Sequence, residues 1–267
     1  TSDSVILQED LDKVFDWSKK WQMCFNVSKC FHLQITRKTK PHRTSYAMDG
    51  QLISKAPSQK YLGVTIDSKL SWSEHCHKVA SKARSTLGIV RRSLPSAPQE
   101  VKSKAYQALV RPQLEYASAA WNPHTQKDVD TLQKVQNAAA RFVTGNYLRG
   151  SSVTQMQKTL GWDTLTDRRM HAQLCMFYKI HNRLVHIDFP SYIQKPKRIP
   201  ARSPHPFQYL RVQTSKETFF YSFFPRVIPV WNGLPIAVVS ASSIETFRSL
   251  ALTQVQHLVP PVWIKRI

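Results

Sequence analysis

The sequence predicts an α+β protein, predominantly helical, in which a small β-containing front piece is followed by a helical stretch and a mixed C-terminal extension. Three observations carry this. In the run Lys60-Tyr-Leu-Gly-Val-Thr-Ile-Asp67, Leu62, Val64 and Ile66 alternate with Tyr61, Gly63 and Thr65, the period of a strand with one buried face. From residue 71 onward apolar residues recur instead every three or four positions, the period of amphipathic helices. Capping signals punctuate that stretch, as at Ser71-Trp-Ser-Glu74, where a hydroxyl and a carboxylate can serve orphan N–H groups reciprocally.

In chain order, residues 4–23 read as an amphipathic helix with Leu7, Leu11, Val14, Phe15 and Trp21 near one face and Asp10, Asp12 and Asp16 off it. Phe25–Cys30 is a turn feeding a strand that alternates Phe31, Leu33 and Ile35. Asp49-Gly50 marks a hairpin turn between Tyr46–Met48 and Gln51–Ile53. The strand at 60–67 comes next, and Gly63, lacking a Cβ, permits close approach of another backbone or a nucleic-acid strand.

Behind the first capping box, Trp72, Cys76, Val79, Ala83, Leu87, Val90 and Leu94 form a core stripe. The next helix opens at Pro98 and points Val101, Ala105 and Leu109 inward; Pro112 kinks or ends it, and a second piece runs to Trp121. Thr125–Asp128 caps a helix whose core face is Val129, Leu132, Val135, Ala139 and Phe142. A short helix at 152–160 stops at Gly161, and a longer one runs from Thr164 to about Leu184. Prolines 190, 196, 200, 204 and 206, interleaved with Lys195, Lys197, Arg198 and Arg202, predict an extended basic linker. The aromatic-rich 207–231 stretch is read as core in preference to a base-stacking surface. A last helix, capped at Ser242–Glu245, carries Ile244, Phe247, Leu250, Ala251 and Val255 on its apolar face.

The chain has 267 residues, 42% of them hydrophobic, which is enough for real cores and excludes wholesale disorder. Its net charge of +21 predicts a polyanionic partner, nucleic acid first. Lys78, Lys82, Ser85 and Arg92 cluster within about 80° of one helical face. Lys127, Lys134 and Arg141 recur every seven residues in a row along another helix. These six cations are the candidate phosphate contacts; taken singly, each also reads as an ordinary solvated position.

No apolar run is long enough to span a bilayer. The four cysteines (Cys24, Cys30, Cys76, Cys175) show no paired spacing, which fits free thiols in a reducing compartment, nuclear or cytoplasmic. No metal site is expected. Cys24, Cys30 and His32, and the run His75-Cys76-His77, lack structural-zinc spacing, and Cys76 falls on the core stripe. The Asp-Asp pair of a two-metal phosphoryl-transfer site is absent, and Asp67 reads as a turn or helix cap.

Seven motifs in order resemble one family: Leu-x3-Leu-x5-Trp in the first helix, Phe25-Asn-Val-Ser-Lys-Cys30, Lys60–Asp67, Leu109-Val-Arg-Pro-Gln-Leu-Glu-Tyr-Ala117, Trp121-Asn-Pro123, Ala138-Ala-Ala-Arg-Phe142, and Ser222-Phe-Phe-Pro-Arg226 with Trp231-Asn-Gly-Leu-Pro235. Together they are similar to the reverse transcriptase of jockey-like non-LTR (LINE-type) retrotransposons. The resemblance implies the C-terminal end of a palm with its primer-grip strand at 1–69, a helical thumb at 70–148, further helices at 149–189, the linker at 190–206 and a C-terminal extension at 207–267. By resemblance, Lys29 of the Asn-x-x-Lys motif takes the role of a general acid for departing pyrophosphate. Tyr61, Leu62, Gly63 and Val64 resemble the primer grip. The implied partners are an RNA–DNA or DNA duplex and an RNA template.

The complete enzyme uses Mg²⁺ held by an aromatic-Ala-Asp-Asp motif. This chain corresponds to the region C-terminal to that motif, so no cofactor is expected in it, and the N-terminal half of the polymerase is an implied partner. The competing reading is a retained, non-enzymatic nucleic-acid-binding or interaction protein derived from such an element.

Overall fold

A computed structural model describes residues 2–199 and 202–258, with backbone alone at 256–258. Pro200 of the expected linker and residues 259–267 of the expected extension lie outside the described residues. The fold is α+β and predominantly helical, and the chain divides into two compact units, Thr1–His75 and Cys76–Ile267. No helix among the described residues is long and apolar enough to cross a membrane.

The first unit opens with helix α1 (Ser2–Lys20). After a 3-10 turn at Val27–Lys29 come short strands in three pairs. Strand β1 (Phe31–His32) lies parallel to β4 (Ser54–Lys55), β2 (Ala47–Met48) is antiparallel to β3 (Gln51–Leu52), and β5 (Ser58–Tyr61) is antiparallel to β6 (Val64–Asp67). The β2–β3 turn is the predicted Asp49-Gly50, with φ of 54° and 69°, the positive pair a type I′ turn requires. Helix α1 is tied to β2 by the Gln8 amide, which donates to the Ala47 carbonyl and accepts from the Ala47 N–H, both at 2.9 Å. Its expected apolar face is only partly covered within this unit: Leu11 and Phe15 are half-buried, whereas Leu7, Val14, Trp17 and Trp21 are exposed.

The reading of residues 60–67 as one strand is corrected. They form the two arms of the β5–β6 hairpin, reversing at Leu62-Gly63 with φ of 45° and 88°. Alternation alone does not reveal this, because each arm is only four residues long, too short for its period to mark where one strand ends and the next begins. The chemical signal was Gly63, which takes positive φ without Cβ strain and so permits reversal as readily as close approach.

Helix α2 (Ser73–Ser93) leads into the second unit and buries Cys76, Ala83, Leu87 and Val90 of the predicted stripe together with Ala80, whereas Trp72, Val79 and Leu94 are half-buried. Helix α3 (Gln99–Ala105) has Pro98 as its N-cap and passes through a π-helical turn, Tyr106–Val110, into α4 (Arg111–Glu115). Pro112 has no N–H for the preceding turn, and the i→i+5 widening immediately before it absorbs the defect. Val101 and Leu109, expected inward, are exposed, and the buried positions are Tyr106, Val110 and Leu114.

Helices α5 (Gln126–Thr144), α6 (Val153–Thr159) and α7 (Leu165–His181) come next. Both α5 and α7 begin with the same Thr-x-x-Asp device. Thr125 and Thr164 accept the N–H of Asp128 and Asp167, and each hydroxyl donates to that aspartate's carboxylate at 2.7 Å. Gln136, fully buried on α5, accepts from the Tyr106 hydroxyl at 2.9 Å and donates to the Asp163 carbonyl at 2.8 Å, tying the π turn to the α6–α7 connection.

Short helices α8 (Glu217–Phe220), α9 (Phe223–Asn232) and α10 (Ile236–Val239) and the last helix α11 (Ile244–Leu258) close round α7. Their core joins Phe177, Tyr178, Tyr209, Trp231 and Phe247, so the aromatic stretch supplies core as expected. Ser243, one residue later than predicted, caps α11 by accepting the Thr246 N–H at 3.1 Å. The Pro-rich segment is pinned to this core: Ile193 packs on it, and buried His205 hydrogen-bonds the Trp231 carbonyl at 2.9 Å.

Candidate nucleic-acid interface

In the first unit the β5–β6 hairpin presents Tyr61 and Leu62 at its tip, 66% and 74% exposed, while Val64, 8% exposed, anchors the returning arm. The base of the hairpin is braced twice. His75, buried at the start of α2, accepts the Thr65 N–H at Nδ1 (3.2 Å). Asp67 accepts the N–H groups of Lys69 and Ser71 at one carboxylate oxygen (2.9 and 2.7 Å), which is the turn-capping role read from the sequence. Lys29 is exposed on the 3-10 turn.

In the second unit Lys78, Lys82 and Arg92 are all exposed on α2. Ile89, which falls at the middle of that face at 100° per residue, is 56% exposed, so the basic face has an apolar centre. Lys127 and Lys134 are exposed on α5. Arg141, the third of their row, is half-buried and differently employed. Its Nη1 donates to the carbonyls of Asn146 (3.5 Å) and Leu148 (3.2 Å), fixing the loop after α5. Arg91 reaches the same loop, its Nη2 donating to the Tyr147 hydroxyl at 3.1 Å. Sequence reasoning did not single out Arg91 or Tyr147. The available signal was Asn146-Tyr-Leu-Arg-Gly150, large exposed side chains directly after the αL glycine (Gly145, φ 67°) that ends a basic helix.

Two arginines of the same unit are buried. Asn122 of the Trp-Asn-Pro motif accepts the Arg169 Nε–H at its side-chain oxygen (3.1 Å), and its backbone carbonyl accepts Nη1 of Arg226 (2.8 Å). Its amide donates to Gln173 at 3.0 Å. Burial pulls both guanidinium groups down to about 10, and for Arg226 the neighbouring Arg169 adds to the effect. Arg226 also stands 5.6 Å from the Tyr221 ring centroid, a cation–π contact. These arginines organise the interior and are out of reach of a polyanion.

Cys24, Cys30, Cys76 and Cys175 are free thiols, Cys76 and Cys175 buried and Cys24 exposed. Burial, with Asp128 nearby, pushes the Cys76 thiol up to about 12. Among the described residues no three His, Cys, Asp or Glu side chains are grouped to hold an ion. A cavity of about 410 Å³ is lined by the Glu115–Arg168 ion pair, His171, Cys175, Lys179 and Arg248.

No family profile matches the chain, and no solved structure does. Curated relatives do. Over 144 residues, 52% of the chain, it is 26% identical to the RNA-directed DNA polymerase from mobile element jockey of Drosophila melanogaster. Over 153 residues, 55% of the chain, it is 26% identical to the probable RNA-directed DNA polymerase from transposon BS, and over 144 residues 24% identical to that from transposon X-element, both of the same fly. The match spans only 15–17% of the length of these relatives. Over about half its length, then, this chain is homologous to the RNA-directed DNA polymerases of jockey-type non-LTR retrotransposons.

Proposed function

We propose that this chain is the part of a non-LTR retrotransposon reverse transcriptase that holds primer–template nucleic acid, contributing duplex grip and not the phosphoryl-transfer chemistry. The observation that carries this is the basic face of α2, with Lys78, Lys82 and Arg92 exposed together in a chain of net charge +21. Such contacts would bind phosphates without reading sequence, leaving base choice to template pairing. The exposed Tyr61–Leu62 tip supports a primer-grip role, since it offers an apolar and aromatic edge on a braced hairpin. Lys127 and Lys134 would add phosphate contacts.

Lys29, by its resemblance, would serve the polymerase only where metal-bound substrate is brought to it. The Mg²⁺ pair implied by the resemblance needs clustered carboxylates. The described residues group no such donors, and Asp67 commits one oxygen to two backbone N–H groups, so the residues present do not fit that pair.

The test is a salt titration of binding to a labelled RNA–DNA hybrid, with wild type beside the triple variant Lys78→Glu, Lys82→Glu, Arg92→Glu. Affinity should fall steeply with salt, and the variant's log–log slope should be shallower by about 0.9 for each phosphate it no longer neutralises. A wild-type affinity that stays flat from low to physiological salt would sink the reading. An unchanged slope in the variant would remove α2 from the interface.

A further inference from the structure

The loop after α5 holds an aromatic ring in a form that the helical basic rows do not. Tyr147 and Leu148 are 55% and 73% exposed, yet the backbone carrying them is fixed from several sides. Gly145 closes α5 in the left-handed region (φ 67°). The Asn146 side-chain oxygen accepts from the Leu148 N–H (3.1 Å) and the Ser151 hydroxyl (2.9 Å). Arg141 takes the Asn146 and Leu148 carbonyls, and Ser151 N–H returns to the Leu148 carbonyl at 3.2 Å. Arg91, from α2, pins the ring itself: its guanidinium donates to the Tyr147 hydroxyl and lies 5.7 Å from that ring's centroid and 5.9 Å from that of Phe142. Lys102 stands 5.2 Å over the Phe142 ring, and Arg149 is exposed in the loop.

An exposed aromatic side chain ordinarily keeps its rotamer freedom. Here the ring is held, an exposed leucine stands next to it, and cations approach from α2, α3, α5 and the loop. Apolar faces interleaved with guanidinium and ammonium groups suit an occupant that is flat, apolar on its faces and joined to negative charge. That describes a nucleotide whose base is unpaired.

We propose that Tyr147, flanked by Leu148 and Arg91, is a stacking platform for an unpaired base of single-stranded nucleic acid, with Arg91 and Arg149 taking the adjoining phosphates. It rests on the proposed nucleic-acid binding and adds a single-strand site to the duplex contacts of α2. The base stacks on the ring face, and the neighbouring cations hold the strand on either side of it. Stacking tolerates any base, so the site carries little sequence preference.

The experiment compares wild type, Tyr147→Ala and Tyr147→Phe, as the full chain, for binding to a labelled single-stranded oligonucleotide, the same strand with abasic positions, and a blunt duplex of equal length. Tyr147→Ala should weaken single-strand binding by about 5- to 160-fold, the range of one stacked base, and leave duplex affinity unchanged. Tyr147→Phe should retain binding, because the ring face is kept. Wild type should bind the abasic strand about as weakly as Tyr147→Ala binds the normal one.

Equal affinity of Tyr147→Ala and wild type for the normal strand, or of wild type for normal and abasic strands, overturns the platform and leaves the ring as a contact for a protein partner. With duplex binding intact and salt-dependent, the proposed duplex grip survives that result. Failure of wild type to bind any of the three overturns both.

Discussion

The backbone carbonyl of Asn122 accepts a hydrogen bond from Nη1 of Arg226 at 2.8 Å, across a sequence separation of 104 residues. The same asparagine engages Arg169 and Gln173 through its side chain, so residues from α7 and α9 converge on the Trp-Asn-Pro turn. Asn122→Ala should therefore destabilise by about 3 kcal/mol, because it strips hydrogen-bond partners from buried groups, one of them charged. Asn122→Asp should cost less than the alanine variant, since a carboxylate offsets two guanidinium groups that burial holds at about 10. Urea-unfolding midpoints of the two variants check the order.

Acid should loosen the second unit before it titrates the carboxylates. His171, His181 and His205 are all held below their ordinary value of 6.5, chiefly by burial. For His171, Arg168 and Arg248 add to this; for His181, Lys195 and His205 do. A base with a lowered folded pKa takes its proton more readily when unfolded. Stability is thus intact above pH 6.5 and falls as pH drops through 6.5 toward the lower folded values. Asp167, raised by burial, acts in the opposite sense, nearer the carboxylate range. Thermal midpoints measured from pH 7.5 to pH 5 should decline across that interval.

The hairpin tip places Leu62 at φ 45°, a region that disfavours side chains with a Cβ. Asparagine tolerates it better, so Leu62→Asn should raise stability by about 1 kcal/mol. The same change removes an exposed apolar side chain from the tip and, on the proposed primer-grip role, should lower affinity for a primer–template duplex. Guanidinium unfolding and hybrid binding on the same preparation would show the two quantities moving in opposite directions.

Gln136 gives a further check on the π turn. Gln136→Leu leaves the Tyr106 hydroxyl and the Asp163 carbonyl without this partner and should cost about 1–3 kcal/mol for each. Tyr106 stacks on Trp162 with centroids 4.4 Å apart. The near-ultraviolet circular dichroism of that pair should weaken in Gln136→Leu and persist in Tyr106→Phe, which keeps the ring.

Nearest neighbours along the chain decide much of this protein, and the amino-acid order records them. The Thr-x-x-Asp caps at 125 and 164, the glycine stop at 161, the Asp49-Gly50 turn, most of the α2 stripe and the similarity to jockey-type polymerases were all legible. The caps, stops and turns depend on interactions within a few residues, which spacing shows directly.

Other features arise only from contacts between elements distant in sequence. The face of α3 turns because Tyr106 finds Gln136 and Trp162 far along the chain. Arg169 and Arg226, which look like surface cations in the sequence, are buried because Asn122 meets both. Arg141 keeps its place in the α5 row but commits Nη1 to two loop carbonyls. In each case a polar group lies where its partner is, and periodicity carries no record of a partner contributed by another element.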